Sequence, residues 1–460
     1  MAAPRGERGL VGFRLPECNG SAKGLHGFSA ARSAFEINEM LKVARRRAFS
    51  RAGRARFRFR SVVKRRRMTD AATDPHEAWP FASPAAAPPR VRRVVLSEFR
   101  SYKHLDLGMD GDAIVLTGEN GAGKTNLLEA LSLFAPGRGL RRAELADCAR
   151  NGGGRFSVAI HLESGGLVSA LGAGAEPDPD GAPARRFRID RAPVGSARAF
   201  ADRVRVVWQT PAMDGLFTGP AGERRRFLDR LVLAVDAAHA ARVSALERAL
   251  RNRNRLLETE AEPAWLDAAE RELAELAFAV TAARRETASR LTALLLERRN
   301  DASPFPWAEL ALAGELETML DAMSALQAET LYRDRLRESR ARDRAAGRTT
   351  VGPQASDLLV RHGPKGVDAR LASTGEQKAL LTGLVLAHAR LVAALSGIPP
   401  LVLLDEIAAH FDPLRREALF TEVRTLGCQV WMTGADEGAF AALGGAARVL
   451  RVTPGRVDAA

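Results

Sequence analysis

Ordered patterning begins near Val91. Val91 to Phe99 and Leu105 to Met109 read as a strand pair. Ala113 to Thr117 is a short continuous apolar run, the pattern of a strand covered on both faces. It leads directly into a glycine-rich turn, after which Asn126 to Phe134 reads as helix. Residues 156–172 and 185–208 predict further strands, with a Gly/Pro/Asp loop at 173–183 between them. From about 220 to 345 the period becomes that of helices. Phe227, Leu228, Leu231, Val232 and Val235 form one stripe, continued at Val243, Leu246 and Leu250. Leu266, Leu273, Val280 and Leu294 share a sevenfold spacing, with Thr287 at the missing step and Ala269, Leu276 and Ala283 between them. That spacing predicts a short coiled-coil-like seam, broken at Pro304 and Pro306. Strand and helix alternate again from about 350 to Val452. The expected architecture is one α/β domain (91–215 and 351–460) split by an inserted helical lobe (216–350), preceded by an extension and linker (1–90).

A hydrophobic content of 46% with 27% charged residues suits a soluble globular chain with a sizeable core. The most apolar run, Leu380 to Leu395, is interrupted by His388 and Arg390, so no membrane partner is expected. Three scattered cysteines (Cys18, Cys148, Cys428) fit a reducing cytoplasm better than a disulfide framework.

The net charge of +14 is misleading. Residues 1–67 carry 18 Lys and Arg against Glu7, Glu17, Glu36 and Glu39, a surplus equal to that of the whole chain. Any nucleic-acid surface in the body must therefore be a local patch. The basic segment reads as a nucleic-acid-binding arm, as a transit peptide, or as sequence upstream of a true start at Met68. The last reading is preferred, because Met68 opens a Pro-rich lead-in that runs straight into the first strand.

The glycine-rich turn carries the first chemistry. Gly118, Glu119, Asn120, Gly121, Ala122, Gly123, Lys124 and Thr125 fit G-x-x-x-x-G-K-[ST], between a buried strand and a helix that continues at Asn126. Glycines let successive backbone N–H groups face a phosphate, and the helix presents its positive end. Lys124 adds a point charge, and Thr125 a hydroxyl for Mg²⁺. Farther along, Leu401 to Leu404 are four aliphatics followed by Asp405 and Glu406. Buried adjacent carboxylates are costly unless a cation or water occupies the site. Asp405 is the expected Mg²⁺-side acid, and Glu406 is placed to polarise an attacking water.

Ser373, Thr374, Gly375, Glu376, Gln377 and Lys378 precede a long apolar helix. Read alone they are a helix cap. This string, ending 27 residues before Asp405, resembles the signature segment of ABC-type ATPases. In that class it contacts the γ-phosphate of ATP held by the opposite subunit, which implies nucleotide contacts for Ser373, Gly375 and Gln377. Ala408 to Asp412 resembles the D-loop of the same interface, making His410 a D-loop neighbour or an ordinary surface residue. Thr433 and Gly434 end a strand where these enzymes usually carry a switch histidine.

The gap of 281 residues from Lys124 to Asp405 exceeds that of transporter ATPases and falls short of SMC-type proteins. A helical insert of this size resembles the RecF family of recombination mediators. Leu96 to Tyr102, Gly219 to Asp229, and Gly352, Pro353, Asp357 and Leu358 support the resemblance, which covers about 91–455. It implies ATP and Mg²⁺ as cofactors and an ATP-dependent homodimer on gapped or duplex DNA. It also implies slow, DNA-stimulated ATP hydrolysis, a RecR-type mediator partner, and roles in loading recombinase at gaps and preserving stalled forks. Gln209 is then a Q-loop ligand to Mg²⁺ or a polar strand end. Arg100 is a nucleotide contact or a solvated turn residue. Gln354 and Ala355 stand where the family usually has His-Arg, which leaves the contacts of that pair open. Candidate DNA patches are Arg224 to Arg226; Arg248, Arg251, Arg253 and Arg255; and the run Arg333, Arg335, Arg337, Arg340, Arg342, Arg344 and Arg348. Another SMC-type repair ATPase would show long arms, a transporter engine would need a membrane partner, and a non-hydrolysing DNA scaffold would bind ATP without turnover.

Overall fold

A computed structural model describes residues 87–150, 154–178, 183–301, 303–408 and 411–459. The basic segment, the Met68 start and His410 lie outside the described residues.

The central layer is a six-stranded sheet in the order β15-β14-β3-β13-β12-β8. Its strands are β3 (Ala113–Thr117), β8 (Val206–Gln209), β12 (Leu401–Leu404), β13 (Val430–Gly434), β14 (Ala447–Thr453) and β15 (Arg456–Ala459). All neighbours pair in parallel except β14 with β15. Alternation along each strand feeds two cores. Val115, Val207, Val402, Leu404, Val430 and Met432 enter one core, while Ile114, Leu116, Leu401, Leu403, Trp208 and Trp431 enter the other. Strands buried on both faces read as the continuous apolar runs seen in the sequence.

The first core lies under the helix Thr374–Ser396, which packs Leu380, Leu381, Leu384, Val385 and Val392 against the sheet. Among the described residues it is the one helix long and apolar enough to cross a membrane, and most of its apolar positions are core positions. His388 on this helix is buried, contacts the Leu231 carbonyl oxygen at 2.9 Å, and is pushed down to about 4 by burial. Arg390 pairs with Glu422 at 2.6 Å.

A second sheet, antiparallel, covers the other core in the order β2-β1-β4-β5-β6-β7. It comprises β1 (Arg90–Phe99), β2 (Tyr102–Gly108), β4 (Phe156–Ser164), β5 (Leu167–Pro177), β6 (Pro183–Ile189) and β7 (Ala192–Val194). Here the structure corrects the expected loop at 173–183, because Ala173 to Pro177 continue β5 and pair with β6. Gln429 pins this sheet to the start of the parallel one. Its Nε2 donates to the Val91 and Gly111 carbonyls, and its Oε1 accepts the Val91 N–H at 2.9 Å.

Between β8 and the return segment the chain forms α2 (Ala221–Val235), α3 (His239–Glu258), α4 (Pro263–Glu297), α5 (Glu315–Ala322), α6 (Ala325–Glu338) and α7 (Arg340–Ala345), with α1 (Lys124–Ser132) lying earlier in the chain. A strand the sequence pattern missed, β9 (Ala308–Ala313), pairs with β10 (Asp357–His362), which also pairs with β11 (Val367–Asp368). The expected coiled-coil seam is also corrected. The 35-residue α4 packs against α2, α3, α5, α6 and β9, so it is a hub. Its buried line drifts from Leu266, Leu273 and Val280 to Leu291 and Leu295, as a 3.6-residue period must against a sevenfold repeat.

Arg253 sits wholly inside this lobe. It donates to Glu270 at 3.0 Å, to Asp343 at 2.8 Å, to Thr349 Oγ1 at 2.9 Å and to the Leu336 carbonyl at 2.7 Å. Arg340 also binds Glu270. Removing one member of a buried charge network leaves the others desolvated and unpaired, at about 3–5 kcal/mol. Arg253→Met is therefore expected to lower stability by about 3 kcal/mol or more in urea unfolding. A loss below about 1 kcal/mol would mean that the network behaves like a surface ion pair.

Candidate functional site

The P-loop joins β3 to α1. Gly118, Gly121 and Gly123 have φ values of 141°, 84° and 116°, a region that residues with a Cβ enter at a cost. A Cβ on Gly118 would collide with the Val452 carbonyl oxygen of β14. One on Gly123 would lie 2.8 Å from Ser101 Oγ and 2.9 Å from the Tyr102 hydroxyl. Backbone packing against two neighbours thus fixes the loop. Tyr102, which the motif reading missed, donates its hydroxyl to the Gly123 carbonyl at 3.2 Å. Asn126 donates to Ser101 Oγ at 2.9 Å. No side chain caps α1 at Gly123, whose carbonyl accepts the Asn126 N–H at 3.0 Å. Glu119, Asn120 and Gly121 are exposed at the mouth, and Ala122 is buried. The Lys124 ammonium folds back onto the Gly118 and Glu119 carbonyls at 2.6 and 2.8 Å. Burial pulls Lys124 below its ordinary range, against the attraction of Glu406 and Asp405.

Strand order brings the acids to this loop. Asp405 follows the last residue of β12, and Thr125 Oγ1 lies 2.9 and 3.1 Å from its two carboxylate oxygens. Thr433 Oγ1 donates to Asp405 Oδ1 at 2.8 Å and accepts the Glu406 N–H at 2.8 Å. Burial pushes the Asp405 carboxyl up, partly offset by these two hydroxyl donors. Glu406 has φ 50°, an uncommon backbone state for a non-glycine residue. Gln209 ends β8 opposite Leu404, and its carbonyl accepts the Asp405 N–H at 3.0 Å. Its side chain is 1% exposed, and its Oε1 has no hydrogen-bond partner among the described residues. A partnerless amide oxygen, a hydroxyl and a buried carboxylate are oxygen donors of the kind a hard divalent cation takes. Among the described residues, no group of three or more His, Cys, Asp or Glu is placed to hold a metal, so such an ion would depend on phosphate oxygens and water to complete its shell.

The helix Thr374–Ser396, here α8, begins at a capping box. Ser373 Oγ accepts the Glu376 N–H, and Glu376 accepts the Ser373 N–H at 3.0 Å. Ser373 is exposed, and Gly375 lies against Arg415 of α9 (Pro413–Thr425). Gln377 departs from its expected role as a nucleotide contact. It is 6% exposed, and its amide donates to the Arg370 and Ala372 carbonyls, so it braces the segment from within. Lys378, missed from sequence, is buried with its ammonium 3.4 Å from the Glu406 carbonyl and 3.5 Å from Asp214.

Several arginines are also placed differently from expectation. Arg100 is neither solvated nor free for a ligand, because it makes a two-point pair with buried Glu129 of α1. Arg224 pairs with Asp357, Arg225 donates to the Ser356 carbonyl, and Arg226 pairs with Glu223. Arg253 is buried and cannot reach DNA. Arg335, Arg337, Arg340 and Arg344 are committed to ion pairs. Gln354 turns inward, donating to the Thr349 and Val351 carbonyls.

A largely parallel sheet with a P-loop after β3, paired acids after β12 with only β13 between those strands, and a capped helix beginning at Ser373 defines an ABC-type P-loop ATPase head. The family model described as an AAA domain matches residues 93–166. The DNA replication and repair protein RecF of Mesorhizobium japonicum is 49% identical over 369 residues, covering 80% of this chain and 97% of that protein. The Rhizobium meliloti RecF is 51% identical over 368 residues, at 80% and 98% coverage. The chain belongs to the RecF family. A solved structure titled as the recombination mediator protein RecF-ATPrS in the RecFOR pathway aligns with a TM-score of 0.72 at 20% identity, over 82% of this chain and 99% of that one.

The loop geometry separates two glycines. Gly121 has open space where a Cβ would sit, and Gly118 does not. Both Gly→Ala variants pay about 1–2 kcal/mol for the backbone conformation. Gly118→Ala alone must also displace β14, so its melting temperature should fall clearly further. Equal shifts would contradict the close approach.

Proposed function

We propose that this protein is an ATP-dependent DNA-repair ATPase that pairs into a homodimer on gapped or duplex DNA and acts there with a RecR-type mediator. Support comes chiefly from the way Thr125, Asp405 and Thr433 converge from three elements beside Lys124. When bound, Mg-ATP supplies an electrophilic phosphorus and a metal that withdraws charge from it. Lys124 exchanges the two loop carbonyls for phosphate oxygens. Thr125 and Asp405 hold Mg²⁺, with Gln209 as a further oxygen. Glu406 orients a water and takes its proton. Exposed Ser373, with Gly375, serves the nucleotide of the opposite copy, so each pocket is completed by a partner. Turnover is then slow and stimulated by DNA, and nucleotide works mainly as a switch on pairing.

The DNA surface in this reading is drawn from the candidate arginines that are both exposed and outside ion pairs. Arg248, Arg251 and Arg255 are exposed along α3, and Arg342 and Arg348 on and after α7, none in an ion pair with another described residue.

Sizing in solution tests the switch. With Mg-ATP the parent should move to twice its mass, Lys124→Ala should not, and Glu406→Gln should pair and persist because it fails to hydrolyse. A Lys124→Ala chain that pairs and grips gapped DNA as the parent does would defeat the reading. For DNA, replacing Arg248, Arg251, Arg255, Arg342 and Arg348 with Gln should flatten the salt dependence of binding, by about 0.9 in log–log slope per lost phosphate contact. The same change at Arg335, Arg337 and Arg344 should leave the slope unchanged. The reverse pattern would move the surface elsewhere.

A further inference from the structure

We propose that Thr433 is a positioning residue for hydrolysis, its single hydroxyl oxygen holding the Glu406 backbone in its working arrangement. The proposal rests on the assignment of Glu406 to water activation made above. Thr433 is fully buried in β13, and β13 is hydrogen-bonded between β3 and β12. Its backbone is therefore tied to the strand that leads into the P-loop and to the strand that ends in the acids. A hydroxyl has one proton to give. Here it goes to Asp405 Oδ1, at 2.8 Å, which leaves a lone pair facing the Glu406 N–H, also at 2.8 Å. One oxygen thus reads the position of both acids.

The backbone of Glu406 gives this contact its consequence. At φ 50° a residue with a Cβ sits about 1–2 kcal/mol above the right-handed region. Such a state persists only when its surroundings hold it. Two side chains hold the peptide units on either side of the Glu406 Cα, Thr433 at the N–H and Lys378 at the carbonyl. The direction of the Glu406 side chain follows from φ, so a relaxed backbone would carry the carboxylate away from the water it must orient. A misplacement near 1 Å is worth about 10²-fold in rate. In the ABC-type pattern a histidine occupies this strand end. The shorter threonine is fully buried and engages the acids from within the protein. The role at this strand end thereby shifts from contact with the ligand to support of the catalytic carboxylate.

The test uses full-length Thr433→Val, which keeps the shape and removes the hydroxyl that accepts the Glu406 N–H, and Thr433→Ser, which keeps it. Steady-state ATPase and binding of a non-hydrolysable fluorescent ATP analogue are measured together. Thr433→Val should lose about 10²-fold in kcat, with KM and analogue affinity within about threefold of the parent. Thr433→Ser should recover most of the rate. Combined with Glu406→Gln, Thr433→Val should cost little more than Glu406→Gln alone, because it acts through that residue. Three results would overturn the proposal: a parental kcat in Thr433→Val, loss of analogue binding in step with kcat, or a Thr433→Ser chain as slow as Thr433→Val. If Thr433→Val does not fold, Thr433→Ala replaces it under the same criteria. Parental turnover by Glu406→Gln would instead remove the role of Glu406, a failure visible without any Thr433 variant.

Discussion

The arrangement depends on one costly placement, a carboxylate at the end of a strand buried on both faces. Asp405 follows four aliphatic residues with no exposed surface and is itself 6% exposed. Leaving such a group charged and unpaired costs several kcal/mol. The two hydroxyl donors, Thr125 and Thr433, return about 1.5–3 kcal/mol each at most. In the function proposed above a cation adds to these donors, with the partnerless Gln209 Oε1 as a further oxygen. Parallel pairing makes this possible, because β3, β8, β12 and β13 all end on the same side. Ligands in open α/β sheets collect outside those carboxyl ends.

Much of this was legible in the chain because it is local. A run of four or five aliphatics signals a doubly covered strand, and the motifs at 118–125 and 401–406 carry their own context. The failures share a different cause. Ala173 to Pro177 continue β5 through small residues that carry no strand signal and are strand because β4 and β6 pair with them. Ala308 to Ala313 follow a proline-rich break in a helical stretch, and they form β9 by pairing with β10, more than forty residues away. Arg253 looked like a surface cation because its partners Glu270 and Asp343 lie 17 and 90 residues along the chain. Gln377 occupied a motif position, yet its direction depends on where the Arg370 and Ala372 carbonyls fall. Patterns show which residues are charged or polar; only the fold shows which of them are already satisfied.

The same distinction bears on how a DNA surface could communicate with the nucleotide site. The N-terminal half of α4 packs Leu273, Ala277 and Val280 into a core shared with α3, α5 and α6. Its C-terminal half places Leu291 and Leu295 in the core beneath α8. One helix of about 52 Å (35 residues at 1.5 Å each) thus joins the lobe carrying exposed Arg248, Arg251 and Arg255 to the helix whose first turn carries Ser373. Helix α8 also sends Lys378 to the Glu406 carbonyl. Close-packed interiors transmit displacement because they have few voids in which to absorb it. On the function proposed above, a tilt of this lobe on DNA would reach α8 through α4. It would shift there both the segment around Ser373 and the Lys378 contact with the Glu406 carbonyl, so that one element would serve both pairing and hydrolysis.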